Sequence, residues 1–229
     1  MPPFKAMVLE TRKETPDTKT VRFEASFPFQ PGQYVSLKLA AGAKTFSISV
    51  SPGKGFIEIT TKLTGSAFKQ EFDKLKKGDT ASMVGPLGSF TFNENDRNSC
   101  FFVGGIGITP FRSMLEYIAG KKIPVNVVVF YSNKTPEDIA FREELESIAK
   151  QNKNIKIIHA ITRPEQSKTP WKGLTGHVNA EIVKQNIPGW QNRTYYICGP
   201  PGFVEAVEKT LSEIGIPKEK TKLEKFTGY

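Results

Sequence analysis

Two glycine-bearing turns carry the chemistry legible in this sequence. The first is Gly104-Gly105-Ile106-Gly107-Ile108-Thr109-Pro110, which follows the apolar run Cys100-Phe101-Phe102-Val103 and precedes a helical pattern with Phe111, Met114, Leu115 and Ile118 on one face. Strand, glycine turn and helix start together make a seat for a pyrophosphate. Glycine lets the backbone approach the anion, and the helix N-terminus presents free N–H groups and a partial positive charge. Pro110 suits the first helical turn, where no N–H is required, and Thr109 stands where a cap is expected. The run is not the GxGxxG dinucleotide fingerprint, because Pro110 occupies the third glycine position. A tight strand–helix corner is the plainer alternative. The second turn, Cys198-Gly199-Pro200-Pro201-Gly202, ends another apolar run. Ligands of open α/β sheets bind at the carboxyl ends of the strands, so two such turns favour a nucleotide over two coincidental corners.

The elements that must position these turns fall into two halves. Up to residue 97 the chain reads as short strands separated by turns. Lys5–Leu9, Thr20–Glu24, Tyr34–Leu39, Thr45–Val50, Phe56–Lys62, Thr80–Val84 and Ser89–Phe92 are rich in β-formers, and one helix is expected from Ser66 to about Leu75. This spacing predicts an antiparallel β-barrel. From residue 98 onward, apolar strands (Cys100–Val103, Val125–Tyr131, Ile155–Ile161, Thr194–Cys198) alternate with amphipathic helices (Phe111–Ala119, Pro136–Gln151, Val178–Gln185, Gly202–Ile214). That alternation predicts an α/β domain with a parallel sheet. The expected division is therefore 1–97 and 98–229.

Composition narrows the function classes. A chain of 229 residues with ordinary apolar content can bury the cores of two domains. Its two cysteines and two histidines have no metal-ligand spacing, so neither zinc nor an iron–sulfur cluster is expected. No apolar stretch has the length of a membrane span, and the N-terminus does not read as a secretory signal, so a cytoplasmic location is expected. The net charge of +9 suits an acidic partner. The lysines are scattered, without a basic stripe interleaved with aromatics, and nucleic-acid binding is not expected.

The order of elements and motifs resembles the ferredoxin–NADP reductase superfamily, in which an FAD-binding barrel precedes an NAD(P)-binding domain. The markers are Pro31-Gly32-Gln33-Tyr34-Val35, Lys44-Thr45-Phe46-Ser47, Lys62-Leu63-Thr64-Gly65-Ser66-Ala67-Phe68, Gly85-Pro86-Leu87-Gly88, the two glycine turns, and the tail Glu224-Lys225-Phe226-Thr227-Gly228-Tyr229. Where the family has Arg-x-Tyr-Ser, this chain has Lys44 and Phe46. Lysine neutralises a phosphate without the bidentate fork of arginine, and phenylalanine keeps the stacking face while losing a hydroxyl. The resemblance implies that Lys44, Thr45, Phe46, Ser47, Thr60, Lys62, Gly65, Ser66 and Ala67 hold FAD, with Ser47 at flavin N5. It implies that Gly104, Gly105, Gly107, Thr109, Pro110, Gly199 and Pro200 hold the nicotinamide nucleotide. Cys198 and Glu224 would stand near the reacting rings, and Tyr229 would cover the flavin face as the tail returns to it.

The implied activity is hydride transfer from NAD(P)H to flavin, followed by electron transfer to a separate acceptor, either an acidic carrier protein such as ferredoxin or flavodoxin or a small molecule. Thr162-Arg163 after the strand Ile155–Ile161, together with Arg142, favours NADPH over NADH. Two readings compete: an NAD(P)H-dependent free-flavin reductase, for which Phe46 speaks, and a non-catalytic FAD-binding subunit of a larger complex.

Overall fold

The structure, a computed structural model, describes residues 2–227. It comprises two compact units: residues 2–92 with Thr109–Gly120, and Asn93–Ile108 with residues 121–227.

The first unit is an antiparallel barrel. Its strands are β1 (Phe4–Thr15), β2 (Thr18–Glu24), β3 (Tyr34–Leu39), β4 (Gly42–Ser47), β5 (Phe56–Lys62) and β6 (Thr80–Leu87), in the order β4-β3-β6-β1-β2-β5. Just beyond β4, Ile48 bridges Ile59 of β5, and the Ser49 N–H donates to the Glu58 carbonyl at 2.9 Å, so the two edge strands meet and close the sheet. Closure removes exposed edges and encloses a core that includes Val8, Phe23, Leu37 and Ile59. Helix α1 (Ala67–Lys74) adds Phe68 and Phe72 to that core. The expected strand Ser89–Phe92 does not form. Gly88 turns the chain at φ 89°, and Phe90 and Phe92 are buried as loop residues, the Thr91 N–H donating to the Ser89 carbonyl at 2.9 Å and the Phe92 N–H to the Pro31 carbonyl at 3.3 Å.

Helix α2 (Ile108–Lys121) is bound to the barrel through Thr109–Gly120. The Ser113 hydroxyl donates to the Val50 carbonyl at 2.7 Å, and the Glu116 carboxylate accepts from the Ser51 N–H at 2.9 Å. Arg112 donates to the Glu58 carboxylate at 2.7 Å. Glu58, only 1% exposed, also accepts from Arg12 at 2.7 and 2.9 Å and from Arg22 at 2.8 and 3.0 Å. Burial by itself would raise this carboxyl, but the hydrogen bonds and charges of the three arginines outweigh it and hold it down to about 2.

The second unit is a parallel sheet built from β7 (Asn98–Gly104), β8 (Asn126–Asn133), β9 (Ile155–Ile161), β10 (Leu174–Thr175), β11 (Thr194–Gly199) and β12 (Thr221–Lys225), in the order β10-β9-β8-β7-β11-β12. Helix α5 (Pro201–Glu213) places Val204, Val207 and Leu211 against a cluster that includes Phe102, Phe130, Tyr195 and Ile197. The single helix expected over Pro136–Gln151 is divided. Pro136–Asp138 forms a 3₁₀ turn, Phe141 adopts a left-handed φ of 59°, and α3 then runs Arg142–Gln151. Phe141 is 5% exposed, and burying its ring is the gain set against that backbone strain. Helix α4 spans Ala180–Asn186, capped by the Asn179 side chain. Among the described residues no helix is long and apolar enough to cross a membrane.

Candidate functional site

The sheet order of the second unit makes β7 and β11 neighbours, with β8 on the other side of β7. The strand order reverses there, and a crevice opens at such a switch point. Both glycine turns lie at this point, on the carboxyl ends of β7 and β11. They are packed backbone to backbone. A Cβ added at Gly107 would lie 2.4 Å from the Cys198 carbonyl oxygen and 2.8 Å from the Gly199 Cα. A Cβ at Gly104 would lie 2.7 Å from the Phe203 ring. Gly107 is thus required by the contact between the turns, and Gly104 makes room for the Phe203 ring of α5. Gly105 differs: its φ is 52°, and a Cβ there would meet nothing within 4 Å. It is the glycine whose open side leaves room for an anion. Gly105–Gly107 forms a 3₁₀ turn that runs straight into α2 at Ile108. Thr109 is therefore the second residue of the helix and not its cap, and it is buried. Pro110 falls in the first turn, as expected.

After the second turn, Pro200 caps α5 and is exposed, while Cys198 is fully buried. Strand β12 pairs parallel to β11 and sets Glu224 opposite Cys198. This strand is not among those expected from the sequence. Its five residues Thr221–Lys225 alternate too weakly to read as one, and only the partner strand satisfies their backbone. Burial raises the Glu224 carboxyl to about 7, and its Oε2 has no partner among the described residues. Burial and the neighbouring Glu224 push the Cys198 thiol well up, so it is a protonated thiol and not a nucleophile. Tyr229 lies outside the described residues.

Farther along the same strand ends, the Thr162 hydroxyl donates to the Asn133 carbonyl at 3.2 Å, and the Arg163 side chain is exposed. Arg142 pairs with Glu146 at 3.0 Å and lies 5.6 Å over the Trp171 ring. Two polar side chains absent from the sequence expectation join them. Asn133 is 5% exposed, with neither side-chain amide atom partnered among the described residues. The same holds for both ring nitrogens of His159, which burial, aided by Arg142, shifts toward the neutral form. Both belong to apolar strands, where composition gives no signal of an unpartnered polar side chain.

On the barrel, Ser47 is 4% exposed and its Oγ has no partner among the described residues. Lys44 and Thr45 are exposed on β4. Phe46 is half-buried, with its ring stacked at 5.7 Å on Phe68 and 5.9 Å on Phe72. Ser66 caps α1 by accepting the Lys69 N–H, Ala67 opens the helix, and the space beside Gly65 is open. Two expected residues are engaged elsewhere. The Thr60 hydroxyl is inside the barrel, 2.8 Å from that of Thr20 and 2.9 Å from that of Ser49. Lys62 pairs with Asp17 at 2.7 Å. Lys69, which the sequence did not single out, is buried beside Phe46. Its position next to Phe68 on the core-facing side of α1 was the available signal.

An unpartnered buried hydroxyl, a helix start with open space and a pair of lysines form a donor set that fits a flavin with its phosphates. Paired glycine turns at a switch point fit a nicotinamide nucleotide. Comparison with known proteins agrees. Residues 101–209 match the family model of the oxidoreductase NAD-binding domain. With this domain and a barrel before it, the chain has the two-domain fold of the ferredoxin–NADP reductases.

Among its relatives, it is 29% identical to the glycine betaine monooxygenase reductase subunit of Chromohalobacter salexigens, over 89% of this chain and 58% of the relative. It is 33% identical to NADH-cytochrome b5 reductase 2 of Meyerozyma guilliermondii, over 72% of this chain and 62% of that protein. The chain thus spans about three-fifths of the length of these curated relatives. The crystal structure of a ferredoxin NADP+ reductase from Neisseria gonorrhoeae, with bound FAD and NADP, shares the fold. Its TM-score is 0.82 at 21% identity, over 98% of this chain and 99% of that one.

Proposed function

We propose that this chain is an NAD(P)H-dependent flavoprotein reductase that passes electrons to a separate protein acceptor. The observation that carries the reading is the pair of glycine turns closed on each other at the switch point of the sheet, with Glu224 set opposite Cys198 behind them. FAD, when bound, supplies a centre that accepts a hydride and releases electrons singly. The protein's part is to bind, orient and protect. Gly105 and the start of α2 would receive the nucleotide pyrophosphate. Ser47 Oγ would hydrogen-bond the flavin ring, and Lys44, Gly65, Ser66 and Ala67 would receive its phosphates. Cys198, buried at the end of β11, would stand behind the nicotinamide as a neutral thiol. Glu224 keeps its proton into the neutral range, so the pocket behind the turn carries little negative charge.

Arg163, Thr162 and Arg142 favour NADPH, because an exposed guanidinium can pair with a 2′-phosphate. The net charge of +9 suits an acidic electron carrier of the ferredoxin or flavodoxin kind. One relative is named the reductase subunit of a monooxygenase, which supports a protein acceptor over free flavin. The test is an anaerobic titration of the FAD-loaded protein with NADPH and then NADH, followed by bleaching of the flavin band. Stoichiometric bleaching, tighter with NADPH, is expected. A flavin that stays yellow with both nucleotides refutes the activity, and equal or tighter bleaching with NADH refutes the preference.

A further inference from the structure

Lys69 is a buried cation without a counter-anion. The residue is 6% exposed on the core-facing side of α1. Its ammonium donates to the Thr61 hydroxyl and lies 4.8 Å from the centre of the Phe46 ring. A hydroxyl and an aromatic face compensate a desolvated charge only in part. No carboxylate among the described residues pairs with it. The charge that acts on it is a second cation, Lys44 of β4. Buried charges in proteins are paired, because a charge left without its partner keeps the cost of its desolvation uncompensated. A desolvated lysine beside a second lysine, neither with a carboxylate partner among the described residues, leaves a charge that an external anion would balance.

We propose that Lys69 and Lys44 are the two cations of the flavin pyrophosphate seat, and that this pair makes the site select a phosphorylated flavin over riboflavin. The proposal rests on the flavoprotein reading above. It also accounts for the lysine at position 44. One lysine is a point charge without the fork of arginine, whereas two lysines from different elements grip a pyrophosphate from two directions. The start of α1 completes the seat. Ser66 Oγ satisfies the Lys69 N–H, while the N–H groups of Ala67 and Phe68, in the first turn, have no intrahelical acceptor. Burial and Lys44 lower the Lys69 ammonium to about 8, so it is still protonated at neutral pH. An arriving dianion would stabilise that charge.

The test uses the full chain stripped of flavin and titrated with FAD and with riboflavin by calorimetry. Lys69→Met keeps the length and loses the charge. It is expected to weaken FAD by about 10- to 100-fold, the weight of a charged hydrogen bond. Riboflavin binding should not change, and the melting temperature of the flavin-free protein should stay level or rise. Lys44→Met, an exposed substitution that does not threaten folding, should weaken FAD selectively as well. The proposal is overturned if Lys69→Met binds FAD within twofold of wild type, or if FAD and riboflavin weaken together, which is the mark of a merely structural lysine. Should Lys69→Met not fold, Lys44→Met decides: FAD binding unchanged from wild type overturns the two-lysine seat. A wild-type chain that binds neither flavin overturns the flavoprotein reading and the proposal with it, and the wild-type titration alone distinguishes that case.

Discussion

Gly107→Ala tests whether the two turns form one device. The added Cβ would lie 2.4 Å from the Cys198 carbonyl oxygen, 2.7 Å from its carbon and 2.8 Å from the Gly199 Cα. All three are backbone atoms, so no side-chain rotation relieves the clash. Restoring ordinary contact at 3.4 Å requires the turns to part by about 1 Å. Overpacking of this kind costs about 1–3 kcal/mol. For a chain of this size, that corresponds to a fall of roughly 2–12 °C in melting temperature. The displacement acts where the nucleotide is to be held, so NAD(P)H affinity, read by calorimetry, should fall at least about tenfold. Two neighbours supply the controls. Gly104→Ala first meets the Phe203 ring, a side chain that can turn, and should cost less. Gly105→Ala meets no atom but forces a φ of 52° on a Cβ residue, at a cost of about 1 kcal/mol. A Gly107→Ala protein with wild-type melting temperature and nucleotide affinity would refute the claim that the packed turns form the seat.

Two further predictions concern buried carboxylates. Glu58→Gln removes the anion that Arg12, Arg22 and Arg112 share, and leaving charge uncompensated at a buried site should destabilise the protein by about 3–5 kcal/mol in denaturant unfolding. Because the folded-state value of Glu58 lies near 2, below its ordinary 4.5, its contribution is present above about 4.5 and is lost as pH falls through 2. Acid unfolding of the wild type should steepen there, and the variant should lack that step. Glu224 has the opposite sign. Its folded-state value is raised from 4.5 to about 7, so the folded protein binds the extra proton, and stability declines as pH rises from 4.5 toward 7. Glu224→Gln should therefore melt higher than wild type at pH 8 and level with it at pH 4. A melting difference that does not depend on pH would remove Glu224 from this role.

The fold was legible where local pattern carries it. The β3, β5 and β9 boundaries follow from alternation and apolar runs between turn residues, and the observed strands match them. Elements stabilised by a distant partner were not legible. Strand β12 needs β11 to complete its backbone bonds, and the break at Phe141 needs the pocket that buries its ring. The site divides in the same way. The glycine turns and Ser47 announce themselves by composition and family motif. Asn133 and His159 do not, because they stand within apolar strands.

Residue type and spacing along the chain carried the two fold classes and the positions of both glycine turns. Tertiary structure alone decided what those residues do for one another. Gly107 serves the contact between two turns that are some ninety positions apart in the chain, Gly104 gives way to the Phe203 ring, and Gly105 keeps the open side. Glu224 retains its proton because the register of β12 buries it opposite Cys198, and Lys69 is a desolvated cation because α1 seats it over Phe46. Desolvation and steric closure depend on which distant atoms exclude water or occupy space, and no local periodicity encodes that.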